Sequence, residues 1–305
     1  MSDLLVINDL HKSYKKFKVL NGLYMRINKG DVYGFLGRNG CGKTTTMSII
    51  CNIIPKDSGE IILGEEGTNN IKIGYLPETP SMFPYMNGYE YLGYIAHCSK
   101  FDGDVKKRVA ACLAITGMTE GGKRRIKGYS RGMAQRLGIA AAIFNKPQLL
   151  ILDEPTSALD PEGRAEVMNI IRNLSDTGCT IILCTHILGD VERTANRIGI
   201  MRDGHLAAEG SIDDILASYG MENVEISLAE PDEQTFGLMR GMPFAEKVDI
   251  NEKTGFVVAD VKDGKAGMAE AMRFIADNNI AVSGVKLARP TLEQVYLSIV
   301  GGHWQ

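Results

Sequence analysis

The stretch "GRNGCGKTT" at residues 37–45 decides the fold, because its spacing matches the phosphate-loop pattern G-x-x-x-x-G-K-[ST] in full. Glycines let backbone N–H groups converge on phosphate oxygens, and a helix that begins after the loop directs its positive end at them. The preceding "VYGFL" predicts a strand, and the following "TTTMSIICNI" predicts a helix. This context favours a phosphate-binding loop over a chance glycine-rich turn.

Individual residues of the loop have separate predicted tasks. Lys43 is expected to reach the β and γ phosphates of a nucleotide and to act in catalysis, and Thr44 to place a hydroxyl on Mg²⁺. Cys41 stands where a small residue suffices, so a tolerated substitution is favoured over a redox switch. The residues of this loop predicted to contact the nucleotide are Gly37, Arg38, Asn39, Gly40, Cys41, Gly42, Lys43, Thr44 and Thr45.

A second motif, "LLILDEPTSALD" at residues 149–160, predicts the acidic part of the site. An apolar strand would deliver Asp153 to its carboxyl end, where an acidic side chain holds Mg²⁺, and Glu154 would orient and deprotonate a water. The same pair of carboxylates is also compatible with a solvated turn. Asp160 and Pro161 are predicted to begin a helix, with Asp160 as its N-cap.

A third candidate is His186, which ends the predicted strand "CTIILCTH" and could contact a γ-phosphate there. A histidine alone at a strand end is more often structural, so the catalytic interpretation depends on the two preceding motifs. Together with Lys43 and Glu154, His186 completes the predicted catalytic set.

Two other phosphate-loop classes fit the sequence less well. A GTPase carries its guanine-reading N-K-x-D after the phosphate loop, whereas "NKGD" at residues 28–31 precedes it and is interpreted as a turn. A small-molecule kinase would not need Glu154 beside Asp153.

Length and composition limit the class of protein. A chain of 305 residues favours two domains, and a formal net charge of −3 argues against nucleic acid as the main partner. No stretch has the ~18 to 20 uninterrupted apolar residues of a membrane helix, and the amino terminus lacks a secretory signal, so a cytosolic chain is expected. The six cysteines lack metal spacing and are expected to be reduced thiols.

Apolar patterns divide the chain into regions. Strands, the loop and one helix are predicted up to about residue 75, followed by a helical subdomain at about 78–145. The continuous runs "QLLILD" and "CTIILCT" predict buried parallel strands of an α/β sheet. These regions form a predicted nucleotide-binding domain at 1–218. Residues 219–305 predict the order β-α-β-β-α-β-α and hence a small α+β domain.

With "YSRGMAQR" at residues 129–136, followed by "LLILDEPTSALD" and "TH", the sequence resembles the ATP-binding subunit of ABC transporters over about residues 4–217. The resemblance implies a P-loop ATPase core that uses ATP and Mg²⁺. It also implies a homodimer in which ATP lies between two head-to-tail subunits, so one chain alone should bind nucleotide without hydrolysing it efficiently.

The resemblance assigns further residues one by one. Tyr14 matches the aromatic that stacks on adenine, and Asp160 matches the aspartate of the loop between subunits. Ser130 and Gly132 match the signature residues that touch the γ-phosphate of the partner subunit. In this sequence, Arg131 replaces a signature glycine, which puts the strength of that contact in question.

One further position departs from the family pattern. In "YLPET", Glu78 stands where most members have a glutamine, and it is expected to contact nucleotide and Mg²⁺ with an altered metal dependence. "YLPE", "YSRGM" and the closing "RPTLEQVYLSIVGG" make the sequence most like the ABC-2 exporter group. That likeness implies a separate integral membrane permease, docked near residues 80–100, and a peripheral location on the inner face of the cell membrane.

Two alternatives from other functional classes stay open at this point. A soluble ABC ATPase acting on ribosomes or DNA usually carries two such domains or long coiled coils, and the sequence has one domain and no long heptad run. A regulatory binding module without turnover conflicts with the complete set of Lys43, Asp153, Glu154 and His186.

Overall fold

The computed structural model describes residues 2–64, 71–219, 222–288 and 291–301. The chain forms two compact units, Met1–Ile212 and Asp213–Gln305. The division falls at the start of the helix Ile212–Tyr219, whereas the predicted domain boundary at 218/219 lies at the end of that helix.

The first unit contains two sheets. A three-stranded antiparallel sheet has the order β2-β1-β4, and a six-stranded sheet has the order β5-β6-β7-β3-β8-β9, in which only β8 and β9 pair antiparallel. The strands are β1 (Asp3–Tyr14), β2 (Phe17–Asn28), β3 (Val32–Gly37), β4 (Ser58–Leu63), β5 (Ile73–Leu76), β6 (Leu149–Asp153), β7 (Thr180–Cys184), β8 (Arg197–Arg202) and β9 (His205–Ser211).

The central strands confirm the prediction of buried parallel strands. Every residue of β3, β6 and β7 is buried, and β6 and β3 both pair in parallel with β7. Continuous apolar runs suit this position because both faces of a parallel sheet are covered. The core on one face joins the two sheets through Leu5, Met25, Phe35, Met47 and Ile151.

Helices surround the six-stranded sheet. Residues 78–87, which the helical subdomain was predicted to include, form turns and extended chain, and the first helix of that region begins only at Gly88. The helices of the first unit are α1 (Lys43–Ile50), α2 (Gly88–Cys98), α3 (Val105–Ile115), α4 (Arg131–Ala142), α5 (Pro161–Asp176) and α6 (Leu188–Thr194), and α7 (Ile212–Tyr219) begins where the second unit begins.

Local sequence signals account for several helix ends. Asn87 and Glu90 form a reciprocal capping box at the start of α2, which satisfies two backbone N–H groups that helix geometry leaves free. Asp160 caps α5 by accepting from the Gly163 N–H at 2.8 Å, and Pro161 occupies the first turn, as predicted.

The second unit is a two-layer α+β domain with the predicted element order. Its sheet has the order β11-β12-β10-β13, and its core includes Val224, Ile226, Phe236, Val257 and Ala271. This is a split β-α-β arrangement, in which the first and third strands of the unit are neighbours. Its elements are β10 (Glu222–Leu228), α8 (Glu233–Arg240), β11 (Lys247–Asn251), β12 (Phe256–Val261), α9 (Gly264–Asp277), β13 (Val282–Ala288) and α10 (Leu292–Gly301).

The helices of both units are short or carry charged residues. Within the described ranges, none of them combines the length and the apolar composition needed to cross a bilayer.

Candidate functional site

Most of the predicted site residues follow four neighbouring strands of the six-stranded sheet. Because β5, β6, β7 and β3 run parallel, their carboxyl ends meet at one edge. The segments that leave this edge enclose an open cleft of about 380 Å³. The cleft is lined by Val19, Asn39, Gly40, Gly42, Lys43, Thr44, Thr45, Glu78, Asp153, Glu154 and His186.

The phosphate loop joins β3 to α1 through two glycines in the left-handed region. Gly40 has φ +81° and Gly42 has φ +113°, and a Cβ on Gly42 would lie 2.8 Å from the side chains of both Leu20 and Met201. The N-cap position of α1 therefore has no side chain to bond its first N–H groups, and the first turn carries no acidic residue. Such a helix start suits a phosphate anion.

Lys43 lies buried at the base of this loop. Its Nζ donates to the carbonyl oxygens of Gly37 at 2.7 Å and Arg38 at 3.2 Å. These two bonds satisfy part of the ammonium and fix its position across the loop, beside the cleft that Lys43 also lines.

Oxygen atoms suited to a magnesium ion come together beside the loop. The Thr44 hydroxyl donates to Asp153 Oδ2 at 3.0 Å, and Glu78 lines the same cleft. Burial raises the pKa of Asp153, the hydrogen bond from Thr44 opposes that shift, and the charges of Glu154 and Glu78 add to it. The site thus holds more negative charge than it neutralises by itself, which favours a bound cation.

These residues do not form a metal cage by themselves. In the described part of the chain, no group of three or more His, Cys, Asp or Glu side chains is arranged to hold a metal ion. Mg²⁺ in nucleotide sites usually takes one or two protein ligands, substrate phosphates and waters. Thr44 and Asp153 therefore fit a magnesium ion that arrives with the nucleotide.

Glu154 and His186 form a pair in the cleft. Glu154 is buried, its Oε1 lies 2.9 Å from His186 Nδ1, and its Oε2 accepts from the Thr185 hydroxyl at 3.3 Å. The backbone of Glu154 has φ +49°, which is uncommon for a residue with a Cβ and typical of functional sites. The prediction that a strand ends at His186 is wrong, because β7 ends at Cys184 and His186 lies in the loop beyond it.

Other predicted contact residues lie elsewhere. Tyr14 is 49% exposed near the β1–β2 turn, where Lys12 Nζ lies 5.7 Å from its ring centroid, and it is not among the residues lining the cleft. Ser130 and Asp160 are helix caps, accepting from the N–H groups of Met133 and Gly163. Ser130, Gly132 and Asp160 are likewise outside the lining of the cleft.

Three residues of the loop that were predicted to contact the nucleotide do not line the cleft. Gly37, Arg38 and Cys41 are absent from the cleft lining, and a Cβ on Gly37 would lie 2.6 Å from Cys41 Sγ. Burial raises the pKa of the Cys41 thiol, although the neighbouring Lys43 opposes the shift. A raised thiol pKa disfavours the reactive thiolate, which supports the interpretation of Cys41 as a tolerated packing residue.

Sequence reasoning missed two residues of the site. Val19, from the strand β2, lines the cleft next to the loop, and the Thr185 hydroxyl bonds Glu154. Val19 carries no local signal, because an apolar residue in a strand is ordinary core. Thr185 precedes His186 directly, so a polar side chain beside the third motif was the available signal.

Comparison with known proteins finds relatives that are ATP-binding proteins, which agrees with a cleft suited to nucleotide phosphates. A family model described as "ABC transporter" matches residues 20–157. The chain is 32% identical to the bacitracin transport ATP-binding protein of Enterococcus faecalis, over 99% of this chain and 98% of that protein. It is 29% identical to the linearmycin resistance ATP-binding protein of Bacillus subtilis (strain 168), over 98% of each.

Shorter relatives and solved structures align with the first part of the chain. The lantibiotic transport ATP-binding protein of Streptococcus pyogenes is 38% identical over 73% of this chain and 94% of its own length. A structure described as the ATP-binding subunit of an ABC transporter has a TM-score of 0.62 at 28% identity, covering 71% of this chain and 93% of that one. A dimeric ATP-binding cassette bound to ADP and Pi, at 24% identity and a TM-score of 0.62, has the same fold.

Proposed function

The chain belongs to the ABC transporter ATP-binding proteins, and from this premise we propose how its residues power a membrane exporter. It binds ATP, acts as an ATPase and serves transport. The observation that carries the proposal is the cleft in which the phosphate loop, Asp153, Glu154 and His186 meet. Two full-length relatives are named for linearmycin resistance and bacitracin transport, which favours export over an action on ribosomes or DNA.

We assign the binding of ATP phosphates to the phosphate loop and Lys43. Backbone N–H groups at the start of α1 would contact phosphate oxygens, and the Lys43 ammonium would balance their charge. Thr44, Asp153 and Glu78 would hold Mg²⁺ through oxygen atoms. When bound, Mg²⁺ supplies charge neutralisation for the phosphates during hydrolysis.

We assign the hydrolytic step to Glu154 and His186. The buried Glu154 carboxylate would orient the attacking water and accept its proton, as general bases do. His186 contacts Glu154 at 2.9 Å and would keep that carboxylate pointed into the cleft. Cleavage then transfers the γ-phosphoryl group to water, releasing ADP and phosphate.

A second copy of the chain would complete the nucleotide site. The Ser130 hydroxyl accepts from the Met133 N–H at 3.2 Å, and its own O–H can still donate. At the start of the twelve-residue helix α4, that hydroxyl and the Gly132 N–H suit the γ-phosphate held by the other copy. Asp160, in the loop that would face the second copy, belongs to the same interface. ATP binding would therefore favour the closed dimer.

We propose that a separate permease docks near residues 80–100, at the inner face of the membrane. In this segment, Phe83 packs against Tyr85 at 5.8 Å and against Tyr94 at 5.2 Å between ring centroids. Tyr85 is 64% exposed and Tyr94 is 41% exposed. Exposed aromatic side chains that support one another are typical anchors of protein interfaces.

A pull-down tests the transport assignment. The tagged chain is recovered from detergent-solubilised native membranes, and co-purifying proteins are identified by mass spectrometry. The expected result is a roughly stoichiometric integral membrane protein whose recovery falls when Tyr85 and Tyr94 are changed to serine. Recovery of ribosomal or DNA-bound proteins, with no membrane protein, would contradict the export function and leave the ATP site in place.

A further inference from the structure

Asp190 is a buried carboxylate outside the three motifs. It lies in α6, four positions beyond His186, and only 2% of its surface is exposed. The Thr156 hydroxyl donates to its Oδ2 at 2.6 Å. The Arg164 guanidinium contacts its Oδ1 through Nε at 2.8 Å and Nη2 at 2.7 Å. Both carboxylate oxygens are therefore used, and each is bound by a different segment.

These contacts close a ring around the catalytic pair. Thr156 follows Glu154 by two positions, and Asp190 follows His186 by four. The Glu154–His186 contact at 2.9 Å and the Thr156–Asp190 bond at 2.6 Å join the same two segments twice. Arg164 adds the first turns of α5, the helix that Asp160 caps. The ring thus connects the segment of the catalytic base with the loop assigned to the subunit interface.

The segment held by this ring needs restraint. Glu154 has φ +49° and Ala158 has φ +57°, so two residues with side chains adopt the left-handed conformation within five positions. Residues of this kind persist only where surrounding contacts fix them. Thr156 lies midway between them and is buried, so its bond to Asp190 restrains the chain on both sides.

We propose that Asp190 is a positioning residue for ATP hydrolysis, acting through Thr156 and Arg164 on residues 154–160. The proposal rests on the hydrolytic function assigned to this cleft. Fold stability alone does not account for the network, because desolvation of a buried carboxylate largely offsets its attraction to a cation. The donors come instead from the two segments that set the direction of the Glu154 carboxylate and the course of the interface loop.

Steady-state ATP hydrolysis with three variants tests the proposal. Thr156→Val keeps the shape and removes the donor, Thr156→Ser keeps the donor, and Asp190→Asn removes the charge. Misplacing a catalytic group costs up to about 100-fold, so we expect kcat to fall about 10- to 100-fold in Thr156→Val and Asp190→Asn. The KM for ATP should stay within about threefold of the wild-type value, because the variants leave in place the contacts that bind ATP equally in the ground state and the transition state. Thr156→Ser should restore kcat to within about threefold of wild type.

Hydrogen exchange of the full chain without nucleotide gives a second readout. Peptides covering residues 154–160 should exchange faster in Thr156→Val than in wild type or Thr156→Ser, while peptides covering α1 stay unchanged. Wild-type kcat in Thr156→Val, a loss confined to KM, or unchanged exchange in residues 154–160 would overturn the proposal. A wild-type chain that shows no ATPase activity even with its membrane permease present would contradict the hydrolytic function, and the exchange comparison would still decide whether Thr156 and Asp190 hold the segment.

Discussion

Replacing Glu154 with glutamine separates the chemical role of the carboxylate from its structural role. The amide keeps an oxygen for His186 Nδ1, which lies 2.9 Å from Oε1 in the wild-type chain. It places an N–H₂ group near the Thr185 hydroxyl, which lies 3.3 Å from the wild-type Oε2. The side chain has the same shape, so the left-handed backbone at residue 154 gains no new clash. The variant loses the negative charge and the ability to accept a proton.

The two roles have different expected magnitudes. A general base contributes about 10²- to 10⁴-fold to the rate, which corresponds to roughly 3–5 kcal/mol of activation free energy. The hydrogen bonds are retained in number, so the free energy of unfolding should change by no more than about 1 kcal/mol, the net worth of one such bond. For a chain of this size, that is a shift in Tm of about 2–4 °C.

Phosphate release and light scattering measure these effects. We expect Glu154→Gln to hydrolyse ATP at least about 100-fold more slowly than wild type and to accumulate as an ATP-dependent dimer. Lys43→Ala is the control, since it should bind ATP poorly and stay monomeric at the same nucleotide concentration. A Glu154→Gln chain that keeps wild-type turnover would refute the base assignment, and one that stays monomeric in saturating ATP would refute the dimer.

Three further predictions concern neighbouring residues. Gly42→Ala should weaken ATP binding in calorimetry by about tenfold or more, because a side chain is strained at φ +113° and its Cβ would lie 3.1 Å from the Val19 carbonyl oxygen; unchanged affinity would show that the loop tolerates a side chain at this position. Peroxide should inhibit wild type and Cys41→Ala equally, because burial raises the pKa of the Cys41 thiol; protection of the variant would establish a redox role. Burial raises the pKa of Asp153, so the folded chain binds the proton of this carboxyl group more tightly than the unfolded chain does. The stability that this group contributes is therefore present at acid pH and is lost as pH rises through the folded pKa. Asp153→Asn should therefore raise the Tm of the nucleotide-free chain at neutral pH more than at pH 4, and an equal shift at both would count against this account.

The cleft was predictable because its parts obey local rules. The spacing of Gly37, Gly42 and Lys43 identifies the loop, and the continuous apolar runs that end near Asp153 and His186 identify buried parallel strands of one sheet. Parallel strands deliver the residues at their carboxyl ends to one edge of the sheet. Motif order and sheet geometry together therefore place Glu154 and His186 in one cleft from the sequence alone.

The network behind the cleft was not predictable in the same way. Asp190 and Arg164 both lie on helices, where charged residues are usually solvated, and 26 positions separate them in the sequence. Nothing in their local pattern shows that α5 and α6 approach each other. In the second unit the same limit applies to the sheet, since alternation predicts the buried face of β10 but not that its neighbours are β12 and β13.

Ser130 and Asp160 were predicted as site residues, but both lie outside the cleft of their own chain. Within a single copy, each has a sufficient role as a helix N-cap, accepting from the third residue of α4 or α5. A cap occupies one acceptor position of the side chain and leaves the Ser130 hydroxyl hydrogen and the second Asp160 oxygen for other partners. The capping bond also fixes the direction of that remaining group. In the proposed dimer, the same capping bonds would orient Ser130 toward the γ-phosphate and Asp160 toward the loop of the other copy.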